Sequence, residues 1–164
     1  MPSFRTTRRV SHTPEEMFAL VGDVERYPDF LPLCTGLRLL RRQQDGPDRT
    51  ALVAEMSVGY KAISERFTTK VTLDNATRDI LVSYVNGPFK YLENRWEFRP
   101  GDTPGTCLIH FWIEYEFRSV ALGILMGSVF DRAFRRFTDA FEKRADEVYG
   151  RRPAGKADGG SPAS

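Results

Sequence analysis

The chain has 164 residues, with 24 Lys and Arg against 22 Asp and Glu, a net charge of +2, 41% apolar residues and 12 phenylalanines. That is one domain's worth of chain with ample material for a core, and its charge balance is too even to argue by itself for a nucleic-acid partner. Cys34 and Cys107 are the only cysteines; neither has the spacing of a metal or redox site, so a reduced, cytoplasmic protein is expected.

In chain order, Ser3–Val10 reads as a strand anchored by Phe4 and Val10, with no secretion signal before it. Thr13-Pro14-Glu15-Glu16 is a capping box with Pro at the first helical position. It predicts a short helix through Met17, Phe18, Leu20 and Val21. After Gly22-Asp23, Val24–Cys34 is predicted as a second short helix interrupted by Pro28 and Pro32. Its Tyr27, Phe30, Leu31 and Leu33 are too apolar for a solvated connector. Leu37–Gln44, Thr50–Tyr60, Lys61–Leu73, Asp79–Asn86 and Lys90–Arg99 then read as antiparallel strands. Turn signals separate them at Asp45-Gly46-Pro47-Asp48, Asp74-Asn75-Ala76-Thr77, Gly87-Pro88-Phe89 and the Pro100–Gly105 run.

The most organised stretch is 106–149. In Thr106–Arg118, Cys107, Ile109, Phe111, Ile113, Tyr115 and Phe117 share one face at period two, which makes a core-facing strand. From Ser119 the period changes. Leu122, Met126, Phe130, Phe134, Phe137, Phe141, Ala145 and Val148 form the stripe of one long helix ending at Tyr149. At 1.5 Å per residue that helix is roughly 45 Å long and the strand before it roughly 43 Å, so the two match. Val120–Phe130 is apolar nearly all round, yet at about half the length of a bilayer span. Gly123 and Gly127 each cost that helix roughly 1 kcal/mol relative to Ala, offset either by close backbone packing or by room left for a ligand. The element order is α+β: a curved antiparallel sheet of about seven strands, two short helices after the first strand, and a closing C-terminal helix. Arg151–Ser164 has nothing to bury and is expected to be a disordered tail, dividing the chain into a domain over 1–149 and a tail over 150–164.

Four motifs in order carry a resemblance over about residues 3–149. They are Tyr27-Pro28-Asp29-Phe30-Leu31-Pro32-Leu33-Cys34, Met56-Ser57-Val58-Gly59-Tyr60, Glu65-Arg66-Phe67-Thr68-Thr69-Lys70-Val71, and Gly87-Pro88-Phe89 with Trp96-Glu97-Phe98. Together they resemble the coenzyme Q-binding proteins and ribosome-association toxins among the START-like polyketide cyclase/dehydrase domains, and the absence of a mitochondrial presequence points to a bacterial member. The resemblance implies a helix-grip fold with a cavity between sheet and helix that holds ubiquinone.

A quinone carrier needs an apolar groove and a few hydrogen-bonding groups. Val58, Phe67, Phe89, Trp96, Phe111 and Ile113 are the expected lining from the sheet, and Leu122, Met126 and Phe130 from the helix. Tyr60, Tyr27 or Tyr115 would donate to a carbonyl. Tyr27–Leu33, which includes Phe30 and Leu31, is expected to form a lip with Gly87–Phe89 and Val120–Leu125, whose apolar groups touch a membrane transiently, placing the protein in the cytoplasm or peripherally at the inner face of the cell membrane. No nucleophile, phosphate or metal motif is present, so neither catalytic residues nor a catalytic cofactor are expected. His12 and His110 are read as surface residues, and Glu65, which shares a face with Phe67 and Val71, as half of a buried ion pair or, in a cyclase-like enzyme, a proton-handling group. Three functions stay open. Non-enzymatic ubiquinone delivery leads, supporting respiration or quinone synthesis; the others are a toxin that binds the large ribosomal subunit and blocks subunit joining, and a cyclase or hydrolase. Four Arg-Arg pairs, at 8–9, 41–42, 135–136 and 151–152, are read as solvated faces, with Asp131 beside Arg135 and Asp139 beside Lys143.

Overall fold

The expected alternation is realised in a computed structural model that describes residues 3–152. Seven strands, β1 (Ser3–Val10), β2 (Cys34–Gln44), β3 (Arg49–Tyr60), β4 (Ile63–Asp74), β5 (Asp79–Asn86), β6 (Phe89–Pro100) and β7 (Cys107–Phe117), form one antiparallel sheet. Its order is β1-β7-β6-β5-β4-β3-β2, so every neighbour except the β1–β7 pair follows its partner in sequence, and β1 and β2 are the edges. Burial alternates along β7 as its period predicts: Cys107, Ile109, Phe111, Ile113 and Tyr115 are buried and the residues between them are not. The inner face meets helix α1 (Pro14–Gly22), a 3-10 turn (Val24–Asp29), and helices α2 (Val120–Arg135) and α3 (Phe137–Tyr149) in one continuous core.

The predicted capping box is formed: Thr13 Oγ1 accepts from Glu16 N–H at 3.1 Å and Glu16 Oε1 from Thr13 N–H at 2.9 Å. The second predicted helix is shorter than expected. Pro28 and Pro32 lack the donors that would continue it, Leu33 turns the chain at a φ of 68°, and β2 begins at Cys34, ahead of the expected Leu37. The long C-terminal helix is two segments joined at Arg136 (φ −100°, ψ 0°), whose N–H bonds Ala133 O at 3.0 Å. The break lets one helical arm serve two surfaces. α2 lies along β7 and β1, whereas Phe141 of α3 turns to Trp96, Tyr27 and Phe30, with ring centroids 5.1, 5.4 and 5.2 Å away.

His12 is not at the surface. It is fully buried, its Nε2 2.8 Å from Asp146 Oδ1, because α3 covers the turn between β1 and α1. The same end of α3 is tied down by Tyr149, whose hydroxyl donates to Glu16 O at 3.0 Å, and by Arg152, whose Nη1 and Nη2 reach the two Glu16 oxygens at 2.6 and 2.9 Å. Arg152 thus belongs to the folded body; the expected tail beyond it, residues 153–164, lies outside the described residues.

The Arg152 guanidinium, with the Thr13 N–H behind it, holds the Glu16 carboxyl down to about 2 from its ordinary 4.5. A depressed carboxyl pKa stabilises the fold above the ordinary value and loses that contribution as pH falls from 4.5 toward 2. Arg152→Ala is expected to return the Glu16 titration toward 4.5, read by NMR of its side-chain carboxyl. The accompanying loss of stability at neutral pH should be small, about 1 kcal/mol or less, because the pair is partly solvated.

Candidate ligand cavity

Between the concave face of the sheet and the helical arm lies a cavity of about 90 Å³. Leu37, Ala54, Met56, Val58, Phe67, Val71, Val82, Leu92, Trp96 and Ile113 line it from the sheet, Phe130, Ala133, Phe134, Phe137 and Phe141 from the arm, and Val24, Tyr27, Leu31, Pro32 and Leu33 from the 3-10 turn and its loop. α2 follows β7 and β1 to one side while the 3-10 turn packs on β2 at the other, which leaves the space over the middle strands between them.

Two polar side chains, Thr69 and Asn94, interrupt the apolar wall. Both are buried and sit at inward positions of the two-residue period, Asn94 between Leu92 and Trp96 and Thr69 between Phe67 and Val71. Asn94 Oδ1 accepts from Trp96 Nε1–H at 2.8 Å and Asn94 Nδ2 donates to Trp112 O at 2.8 Å. An amide nitrogen carries two hydrogens, so one hydrogen of the Asn94 amide is left over. Sequence reasoning passed over both residues, although the same alternation that found Trp96 and Phe67 places them on that face.

Of the residues expected at the site, the structure gathers Tyr27, Leu31, Val58, Phe67, Trp96, Ile113 and Phe130 around the cavity. The rest lie elsewhere. Phe89 is fully buried among the rings of Phe67, Tyr84, Tyr115, Phe117 and Phe130, and Phe111 packs between Phe4, Trp96 and Phe137; both are core. Met126 is buried and Leu122 half-buried, but both precede the turn at which α2 reaches the cavity. Phe30 packs on Phe141 and under Arg144, and Tyr60 is exposed at the β3–β4 hairpin tip.

Neither helix glycine borders the cavity. A Cβ on Gly123 would meet the Phe117 ring at an ordinary 3.8 Å, and one on Gly127 would meet nothing within 4 Å. The glycine that the packing demands is Gly87, at a φ of 144°, where a Cβ would fall 2.5 Å from Phe67 Cβ. It lets the β5–β6 turn press on the strand that carries Phe67 into the cavity wall.

Tyr27, an expected carbonyl donor, is already committed: its hydroxyl donates to Val21 O, and desolvation pushes its pKa up. Burial raises Tyr115 to about 12 and the Cys34 and Cys107 thiols to about 11 and about 12. All three stay protonated at neutral pH, so the thiols are poor nucleophiles. Glu65 does not line the cavity, nor does any other carboxylate among the described residues, and no His, Cys, Asp and Glu cluster suited to a metal occurs among those residues. Four of the eight arginines in the pairs have acidic partners: Arg8 with Asp139 and Glu142, Arg9 with Asp102, Arg135 with Asp131, and Arg152 with Glu16. Asp139 therefore turns to β1, not to Lys143.

The family model described as polyketide cyclase / dehydrase and lipid transport matches residues 10–142. The chain belongs to this family. Among curated members, ribosome association toxin RatA of Escherichia coli K12 is 37% identical over 152 residues, covering 93% of this chain and 92% of the toxin. The mitochondrial coenzyme Q-binding protein COQ10 of Dictyostelium discoideum is 30% identical over 145 residues, 88% of this chain and 69% of that protein. Those relatives are named for binding and association; the fold also serves enzymes. An 18 kDa protein of Caulobacter crescentus, solved in solution, is 37% identical with a TM-score of 0.73 over 92% of this chain and 99% of that one. The aromatase/cyclase Zhui of Streptomyces has a TM-score of 0.73 over 98% and 99% at 16% identity, a likeness of fold alone. The helix-grip, START-like architecture expected from the motifs is the one this family member adopts.

Proposed function

We propose that this protein binds a polyisoprenoid quinone of the ubiquinone type and carries it without chemistry, supporting respiratory electron transport or quinone synthesis. The observation that carries the reading is the cavity itself: an apolar chamber whose polar groups, Asn94 and Thr69, supply hydrogen bonds and no carboxylate. A quinone ring presents two carbonyl acceptors on an apolar body, which the spare amide hydrogen of Asn94 and the Thr69 hydroxyl complement. The kinship with coenzyme Q-binding proteins supports the same ligand class. At about 90 Å³ the chamber is smaller than the roughly 300–1,000 Å³ of ordinary ligand sites. Loading a quinone ring would therefore require the chamber to widen.

The test is an organic extract of the protein purified from bacterial cells, expected to show the oxidised-minus-reduced absorbance of a quinone. In a Trp112→Phe background, added short-chain ubiquinone should quench the remaining Trp96, which lines the cavity. An empty extract together with unquenched Trp96 would remove the reading. Ribosome association is a second reading, favoured by the RatA relatives, which match over nearly their whole length at higher identity than the coenzyme Q-binding proteins. Sedimentation with the large ribosomal subunit at physiological salt is its test.

A further inference from the structure

The first turns of α2 are exposed where a soluble helix is normally polar. Val120, Ile124 and Leu125 are 82, 80 and 60% exposed, and no charged residue occurs from Val120 to Phe130. These side chains are not isolated. The strand registers bring Val85, beside the β5–β6 turn, and Tyr60, at the β3–β4 tip, to the same end of the sheet. Phe117 opposes Phe89, Arg118 N–H bonds Pro88 O at 2.8 Å, and Thr68 opposes Asn86. Five of the seven large apolar side chains exposed among the described residues thus lie at one end of the molecule. The β2 edge and the tip of α3 hold the other two, Leu40 and Val148.

The charges at this end are mostly of one sign. Lys61, Arg66, Lys90 and Arg118 are all exposed there, against the half-buried Glu65 and Glu116, of which Glu116 lies 4.0 Å from Lys90. Lys61 also sits 5.4 Å from the Tyr60 ring centroid, an aromatic and a cation sharing one hairpin tip. An apolar end of the sheet flanked mainly by cations is complementary to an anionic lipid surface, where aliphatic groups enter the acyl boundary and Lys, Arg and Tyr stay among the headgroups. No helix among the described residues is long and apolar enough to cross a membrane, so the contact is with one face.

We infer that the end of the sheet formed by the α2 N-terminus, the β5–β6 turn and the β3–β4 tip is a docking surface for an anionic membrane. It goes beyond the quinone reading and holds whatever the cavity carries. The test is sedimentation of the full chain with phosphatidylcholine vesicles with and without phosphatidylglycerol. The wild type binds the anionic vesicles, and Ile124→Asp weakens that binding about tenfold, the effect of keeping one buried aliphatic side chain out of lipid. Lys61→Glu with Arg118→Glu weakens it by a similar factor and removes the preference for phosphatidylglycerol, while Val148→Asp, at the other end, changes nothing. Far-ultraviolet circular dichroism and thermal midpoints show that each variant is folded. Absence of vesicle binding by the wild type overturns the proposal, as does binding that Ile124→Asp leaves intact. It is equally overturned if the chain ignores vesicles and Ile124→Asp instead dissolves a dimer or releases it from ribosomal subunits.

Discussion

Replacing Phe89 by alanine is expected to lower the unfolding free energy by about 3–5 kcal/mol, the usual cost of deleting a fully buried aromatic ring. Phe89 has no exposed surface and touches five aromatic neighbours, from stacked Phe117 at 4.9 Å to edge-on Tyr115 at 6.1 Å. These come from β4, β5, β7 and α2, so the ring joins the base of the arm to the sheet. A domain of this size has about 5–15 kcal/mol of stability in all, and urea denaturation will show the loss as a large fall in midpoint. Phe89→Leu, which keeps most of the volume, should lose much less. If Phe89 faced the ligand, the alanine variant would keep its stability and lose quinone binding; a loss under about 1 kcal/mol would therefore return Phe89 to the cavity wall.

Ala133→Leu is expected to have the opposite signature. Ala133 is 6% exposed and lines the cavity from α2. Three added carbons enter existing space of about 90 Å³, so stability should hold or rise, by at most about 2 kcal/mol if the void fills completely. Quenching of Trp96 by short-chain ubiquinone should weaken at least tenfold, because the leucine occupies the volume in which the ring must sit. Overpacking of a closed core would instead cost about 1–3 kcal/mol. That outcome, with quenching unchanged, would show that the guest site is not this chamber.

The strands were legible because one face of each is buried and the other wet. Alternation at period two marked β7 residue by residue, and the Thr13-Pro14-Glu15-Glu16 box located α1 because capping is a local interaction. The cavity was half legible. Val58, Phe67, Trp96 and Ile113 were read as inward apolar residues and do line it, but Phe89 and Phe111 share the same pattern and are core. Periodicity reports which face a side chain is on; how far the arm stands from that face is set elsewhere. Asn94 and Thr69 were overlooked because a polar residue at an inward position reads as noise until its hydrogen bonds are known.

His12 shows the limit from the other side. Local context put it beside a helix cap, and α3, arriving 134 residues later, buried it against Asp146. Hydrophobic period and capping chemistry are properties of neighbouring residues, so the amino-acid order alone determined a seven-stranded antiparallel sheet closed by a C-terminal helical arm. The break at Arg136 and the extent of the chamber beneath it depend on where one arm comes to rest across a curved sheet. That position is a balance of contacts distant in sequence, and only the tertiary structure decided it.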